Sequence, residues 1–424
     1  MLIKRRGDST DKRKDTVYDD WNVVEKDPVR LSYQKLLVQV ISSARGTNPT
    51  APRIYSPTLS NPAFSNSPQH SFKRRIHRMQ LGLTESLPAL VAKRFTAAKD
   101  AGHLIFSQTH LEILRPGGIP YQLRYCPALA NKPTGKPKSD EGSPKKRFDP
   151  FENPSPELLI AHFPKENPTH FLVLNKFPVI PNHFILATTA WREQTDILEK
   201  EDLAAAYACV KAWSDGNQSG GTSSKRLFAF FNSGYESGAS QPHRHLQFIP
   251  VEAMAQDDET GTWKPLIDTV PSQPASLGSD FRRVAGIPIA NFALPLPSDA
   301  SAEELHEIYL SLYKAAAVAA GIPRSQIQSS TGPANISYNL AMTDSTMMIC
   351  PRKSVSAVVS VDDAARKDIA EAGVVELNGT FLAGTMMVKA EAEWHELRRS
   401  PDALMKVLAS IGYPHPDPRE LSLL

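Results

Sequence analysis

The run Gln241-Pro-His243-Arg-His245-Leu-Gln247-Phe248 constrains this chain more than any other. Successive side chains of a strand point to opposite faces, so an extended run places His243, His245 and Gln247 on one side and Arg244, Leu246 and Phe248 on the other. Two histidines on a strand are, by themselves, equally well explained as surface or metal-ligating residues. The preceding loop, Asn232-Ser-Gly234-Tyr-Glu-Ser-Gly238-Ala-Ser240-Gln241, adds small residues and free backbone N–H groups just before the polar face. A chain wraps an anion by such means. Alone, a Gly/Ser loop is only a turn; joined directly to H-x-H-x-Q it is a strong signal.

A neutral imidazole attacks phosphorus well when its other nitrogen is held by an acceptor, which fixes the tautomer and steadies the developing positive charge. One histidine then attacks while the other orients. Gln247 reaches phosphate oxygens as a neutral donor, and a carboxamide cannot shuttle protons as a third histidine could. The pattern therefore favours transfer to an incoming phosphate over attack by activated water. Cations for a polyphosphate are sought at Lys132, Lys176, Arg352 and Lys389, although each also fits a solvated surface position.

The rest of the chain bounds the setting. Its 424 residues predict two or three domains, with a sizeable core. Charges nearly balance, 48 basic against 45 acidic, which argues against a nucleic-acid coat. No apolar run approaches the roughly 18 residues of a spanning helix, so a soluble protein with no membrane or nucleic-acid partner is expected. Cys126, Cys209 and Cys350 are far apart and form no CxxC, which fits a reducing compartment without a disulfide framework or zinc site. Residues 28–84 contain no Asp or Glu, many prolines and eight basic side chains, behind a charged, apolar-poor start. Residues 1–82 are accordingly read as a disordered extension.

From Leu87 the pattern becomes globular. Leu90, Val91, Phe95 and Ala98 predict a helix, and strand-like runs follow at 103–106 and 121–125. The proline- and lysine-rich stretch 131–148 reads as a solvated loop. A hairpin is predicted from 171–175 and 184–188, a helix on the face of Leu203, Ala206, Tyr207, Val210 and Trp213 ending at Gly216, and strands at 227–231 and 243–250. A second block has a strand near 289–294, a helix opened by the capping box Ser301-x-x-Glu304, strands at 336–342, 347–350 and 385–389, and a last helix from Pro401 to Ile411. This grammar gives an α+β fold, with residues 83–280 as a catalytic domain and 281–424 as a C-terminal domain.

At these residues the sequence resembles fungal diadenosine tetraphosphate phosphorylases, also called ATP adenylyltransferases, of the histidine-triad superfamily that includes galactose-1-phosphate uridylyltransferase. Residues 232–248 look like the family's active-site loop and strand. The stretches 126–133, 149–154, 174–186, 337–343 and 350–352 look like further blocks in the family's order, so the resemblance covers 83–413. It implies a histidine-triad-like antiparallel sheet with helices, extended by a C-terminal α+β portion.

The resemblance further implies a ping-pong transfer in which His245 attacks the α-phosphorus of diadenosine tetraphosphate, ATP leaves, and phosphate releases ADP from a histidyl-AMP intermediate. Adenylyl sulfate is a further donor in this reading. His245, His243 and Gln247 are then catalytic. Asn232 and Gln247 hold the reacting phosphate, Gly238, Ala239, Ser240 and Gln241 supply loop contacts, and Lys132, Asn175 and Lys176 bind nucleotide or phosphate. Asn378, Gly379, Thr380, Thr385 and Lys389 are substrate contacts from the C-terminal block, where Phe381 and Thr385 depart from the Gly and Met usual in the family. His183 is read equally as pocket-lining or structural. Mg²⁺ is expected with the substrate polyphosphate rather than in a protein cage. The implied partners are diadenosine polyphosphates, ATP, ADP and phosphate, and the expected compartment is the cytoplasm, with the nucleus as a second location. A dinucleotide hydrolase, a uridylyltransferase and a non-catalytic dinucleotide sensor are the alternatives. The oligomeric state is not legible.

Overall fold

A computed structural model describes residues 81–131, 148–215, 225–272, 280–284, 287–327, 330–360 and 373–421, so the extension 1–80, Lys132 with most of the loop 131–148, and Gly216 lie outside the described residues. Helix α1 (Leu87–Asp100) forms as the spacing predicts, burying Leu87, Val91, Phe95 and Ala98 along one face, with Pro88 in the first turn where a missing N–H costs nothing. The stretch 103–106 is not a strand. The Ile105 and Ser107 N–H groups bond the carbonyls of Lys176 and Pro178, so this segment follows a turn rather than a ladder. The strand lies later, as β1 (His110–Leu114), antiparallel to β2 (Tyr121–Tyr125).

The central element is an eight-stranded sheet. Its strands are β3 (Leu159–Phe163), β4 (His170–Leu174), β5 (Phe184–Thr188), β6 (Leu227–Ser233), β7 (His245–Pro250), β8 (Phe292–Pro295), β9 (Ser337–Met342) and β10 (Thr346–Arg352). Their spatial order is β3-β4-β5-β7-β6-β9-β10-β8, with every neighbouring pair antiparallel. The β4–β5 hairpin is the one the sequence predicts. Segments 83–280 and 281–424 both feed this sheet, joined where β6 pairs β9.

The two-residue period sorts the strands onto two cores. Leu227, Ala229, Phe231, Leu246, Phe248, Leu340, Met342, Met347 and Ile349 pack on one face beneath helices α2 (Lys200–Asp215) and α4 (Ala302–Ala319). Phe228, Phe230, Ile249, Ala341, Met348 and Cys350 pack on the other, against Leu266, Phe381, Leu382 and Leu408. Between these two helices in sequence comes the short α3 (Val251–Ala255), whose Ala253 and Met254 join the second core. Ser301 caps α4 in a complete capping box with Glu304, as its spacing predicts. Three further strands, β11 (Ser356–Val358), β12 (Val374–Glu376) and β13 (Thr385–Val388), follow; β13 runs parallel to β2, and the helices Glu391–Arg399 and Pro401–Ile411 close the fold. No described helix is long and apolar enough to cross a membrane.

Arg244 fixes the start of β7 to this frame. Its Nη1 donates to Asp202 Oδ2 at 2.8 Å, Asp202 Oδ1 lies 3.0 Å from His170 Nε2, and the Glu199 N–H caps the same carboxylate at 2.9 Å. Burial alone would raise the Asp202 pKa, yet the His170 bond and the Arg244 charge together hold it below the ordinary value. Glu199 at 3.5 Å and Asp196 at 3.8 Å also lie near the Arg244 guanidinium but are more exposed, so removing Asp202 takes away its one buried carboxylate. Asp202→Ala is therefore expected to lower stability by about 3–5 kcal/mol. Chemical denaturation checks this, and a loss within the range of a surface pair, about 0–1 kcal/mol, would contradict it.

Candidate active site

Strand β7 starts at His245, two residues later than the spacing predicts, and His243 makes only an isolated bridge with Glu193. The β6–β7 ladder runs from Leu227–Pro250 to Phe230–Gln247. Continuing that register sets Asn232 opposite His245, but there a side chain stands in for the ladder. Gln194 accepts from the His245 N–H at 2.7 Å and donates to the carbonyls of Asn232 at 2.9 Å and His245 at 3.1 Å. Its buried carboxamide thus satisfies the main chain of both strands while leaving their side chains on the open face.

The His245 ring is buried against Phe151 with centroids 5.1 Å apart, and its Nδ1 donates to the His243 carbonyl at 2.8 Å. A proton fixed on Nδ1 leaves the lone pair on Nε2, which meets no partner among the described residues. Burial, reinforced by the nearby His243, lowers the His245 pKa to about 4, against the opposing pull of the carbonyl bond and Asp149. The ring is therefore neutral and nucleophilic across the physiological range.

His243 meets His245 through its main-chain carbonyl rather than its ring. Its own ring is engaged on both sides. Nδ1 lies 2.7 Å from Asp149 Oδ2, and Nε2 lies 2.9 Å from the Thr188 carbonyl and 3.0 Å from the Thr188 hydroxyl, which itself donates to Ala190. Both ring nitrogens of His243 are therefore engaged by the protein. Trp191 and Phe151 enclose the ring at 5.1 and 5.7 Å. Asp149, Thr188 and Gln194 escape a reading of motif spacing because none of them lies in the run that carries the histidines.

Two carboxamides face the same side. Phe177 N–H donates to Asn175 Oδ1, so Asn175 Nδ2 donates to His183 Nδ1 at 3.1 Å, and His183 Nε2–H donates to Gln247 Oε1 at 3.1 Å. That chain leaves the Gln247 NH₂ as a donor without an acceptor among the described residues. Asn232 Oδ1 accepts from Asn339 Nδ2 at 2.8 Å and the Gly379 N–H at 2.9 Å, and its buried NH₂ has no partner. An unpaired buried donor is costly, and an anionic oxygen would satisfy it.

The Gly/Ser loop supplies fewer free N–H groups than the sequence suggests. Those of Ser237, Gly238 and Ala239 bond back to Gly234 and Tyr235, which leaves Ser240 and Gln241 without acceptors among the described residues. At Gly238, with φ +84°, a Cβ would lie 2.9 Å from the Asn378 Cβ, so a glycine lets this loop and the 377–380 turn touch. That contact brings Asn378 beside the loop. The Asn378 carboxamide oxygen caps the Thr380 N–H and hydroxyl, whereas the Gly379 N–H is directed at Asn232.

Other expected contacts sit apart. The Thr385 hydroxyl is buried and donates to Gln122 within the β1-β2-β13 sheet. Lys389 Nζ lies 3.8 Å from Glu376, and Lys176 is exposed, 5.8 Å from the Phe177 ring. Arg352 is not a surface cation: it is buried, donates to Asn339 and to the carbonyls of Ser354, Leu377 and Ile411, and burial lowers its pKa to about 10. Among the described residues no group of three or more His, Cys, Asp or Glu side chains converges as a metal-binding set.

Comparison with known proteins places this geometry. A family model described as the Ap4A phosphorylase N-terminal domain matches residues 78–268, and one described as the ATP adenylyltransferase C-terminal domain matches residues 285–414. Diadenosine 5',5'''-P1,P4-tetraphosphate phosphorylase 2 of Saccharomyces cerevisiae is 26% identical over 343 residues, covering 78% of this chain and 96% of its own. Protein APA1 of the same yeast is 27% identical over 346 residues, covering 79% and 97%. The crystal structure of yeast Ap4A phosphorylase Apa2 shares the fold, with a TM-score of 0.62 at 24% identity over 78% of this chain and 99% of that one. The same enzyme in complex with Ap4A gives 0.61 over the same shares. With both family domains matched in order across most of the described sheet, the chain belongs to the Ap4A phosphorylase family and is a nucleotidyltransferase.

Proposed function

We propose that this protein phosphorolyses diadenosine tetraphosphate to ADP and ATP through a histidyl-AMP intermediate on His245. The observation that carries the reading is the buried, neutral His245, with its Nδ1 proton fixed by the His243 carbonyl and its Nε2 unpaired beside two carboxamide donors. In the first half-reaction the Nε2 lone pair attacks the α-phosphorus and the bond to the bridging oxygen breaks, releasing ATP. In the second a phosphate oxygen attacks the same phosphorus, ADP leaves, and the lone pair returns to Nε2. Neither the polyphosphate leaving group nor the phosphate nucleophile needs a proton moved, since both oxygens are anionic. Gln247 and Asn232, donors without titratable protons, suffice to stabilise the charge on the non-bridging oxygens.

Mg²⁺ in this reading arrives on the polyphosphate oxygens and neutralises part of the leaving group's charge. The Ser240 and Gln241 N–H groups complete the cradle, and Lys132, Lys176 and Lys389 serve more distant phosphates. Adenylyl sulfate is a second donor because its α-phosphorus carries the same adenosine and an anionic leaving group.

Incubation with diadenosine tetraphosphate and Mg²⁺, with and without phosphate, followed by nucleotide chromatography, tests the reaction. ADP and ATP are expected only when phosphate is present. AMP and ATP without phosphate would make the protein a hydrolase, and intact substrate in both arms would overturn the reading. His245→Ala is expected to abolish turnover while leaving substrate binding largely intact.

The His245 pKa has two consequences. The acid limb of kcat/KM for the free enzyme should fall at about pH 4 instead of near 6.5. Between those values the unfolded chain binds a proton that the folded chain does not, so stability declines as pH falls through that window, by roughly 3 kcal/mol for this group. Denaturation at successive pH values should show this decline, and His245→Phe should lessen it. An identical pH dependence in the variant would show that His245 does not contribute.

A further inference from the structure

The blocks 337–343 and 350–352, which the sequence singles out as family-like, contain no side chain that the proposed chemistry uses directly. Their polar members form a ladder across the sheet. Asn339 on β9 is the register partner of both Asn232 on β6 and Cys350 on β10, two residues before Arg352. Arg352 Nη1 donates to Asn339 Oδ1, and the two Asn339 Nδ2 protons go to Asn232 Oδ1 at 2.8 Å and the Ser237 carbonyl at 2.9 Å. Each atom of the Asn339 carboxamide is therefore assigned. Its oxygen must face Arg352, because a guanidinium only donates, so its NH₂ must face Asn232.

The consequence reaches the next strand. Asn232 Oδ1 accepts from Asn339 and from the Gly379 N–H, and turning this amide over would set its NH₂ against two donors. Its oxygen is locked inward and its NH₂ is left buried without a partner. Arg352 has no carboxylate partner among the described residues; it is held by Asn339, by main-chain carbonyls and by the Phe381 ring at 5.3 Å. A buried cation of this kind is expensive, and stability alone does not explain its retention.

We infer that Asn339 and Arg352 are positioning residues that hold the Asn232 carboxamide with its NH₂ toward the reacting phosphate. The inference rests on the phosphate-binding role of Asn232 proposed above. It assigns the C-terminal half of the chain a part in the adenylyl-transfer step itself, through a relay that never touches substrate.

Asn339→Asp separates this role from a structural one. The new carboxylate pairs with Arg352, so the fold is retained. It cannot donate to Asn232 or to the Ser237 carbonyl, so the Asn232 oxygen faces a carboxylate on that side and its NH₂ is no longer held toward the phosphate. The melting temperature should stay within a few degrees of the wild type, kcat should fall about 10²-fold, the loss typical of one oxyanion donor, and AMP should bind roughly tenfold more weakly. Adenosine, which lacks the phosphate, should bind unchanged. In an Asn232→Ala background the same substitution should add far less than its loss in the wild type, because the relay reaches the phosphate through Asn232.

A kcat within threefold of wild type, equal weakening of adenosine and AMP, or additive losses in the double variant would each overturn the inference. If Asn339→Asp does not give a folded chain, Asn339→Ser is carried through the same cycle. Should wild-type protein fail to turn over diadenosine tetraphosphate, the proposed reaction fails by itself, and AMP against adenosine affinity across the four proteins still decides whether the relay orients a phosphate donor.

Discussion

Everything at this site depends on how an antiparallel pleat is interrupted at one point. Along β6 and β7 the side chains alternate between two apolar cores, so a polar residue on either strand must answer for its burial. At Asn232 and His245 the Gln194 carboxamide stands in for ladder partners, bonding both strands' carbonyls and the His245 N–H. The main chain loses nothing, while two adjacent polar side chains are released from packing. A row of His245, Asn232 and Asn339 then crosses three strands on a face that also carries Gln247 and Arg352. Arg244 and Asp202 hold the opposite face of the same segment, so the row is clamped from below.

Burial supplies the electrostatics as well as the shape. Removing His245 from water disfavours its charged form, which keeps the nucleophile neutral without a neighbouring base. The groups that face it are carboxamides, whose donor character does not change with pH. Each is oriented from behind, Gln247 through His183 and Asn175, and Asn232 through Asn339 and Arg352. Preorganised neutral donors in a low-dielectric site stabilise a developing charge with little reorganisation. A cluster of first-contact lysines would bind phosphate more strongly, but equally in the ground state.

Much of this was legible in the sequence, and the reason is locality. The alternation of His243, His245 and Gln247, the β4–β5 hairpin and the Ser301–Glu304 cap are set by residues a few positions apart, where period and capping chemistry decide. What escaped depends on pairing over long separations. Gln194 meets His245 across 51 residues, Asp149 meets His243 across 94, and Gly379 meets Asn232 across 147. Arg352 reads as a surface cation in sequence because nothing local reveals that β10 lies inside the sheet. An H-x-H spacing, likewise, does not say which atom of the first histidine the second one meets, and here it is the main-chain carbonyl. The segment 103–106 has the composition of a strand but follows a turn, since the His103 and Leu104 N–H groups bond the Ala98 carbonyl and that of Ile105 bonds Lys176.

In the proposed reaction the same geometry favours transfer to phosphate over hydrolysis. Water must lose a proton to attack phosphorus efficiently, and a site that hydrolyses needs a group to receive it. Here the position two residues beyond the proposed nucleophile, His245, is Gln247, whose oxygen is already bonded to His183 and whose NH₂ only donates. His243 has both ring nitrogens engaged, by Asp149 and by Thr188. An incoming phosphate brings its own negative charge and needs no base, so the arrangement stabilises that nucleophile while giving water no assistance. Selectivity for phosphate over water then arises from what the surrounding side chains cannot do, and the amide relays behind Gln247 and Asn232 maintain that inability by fixing which end of each carboxamide faces the reaction.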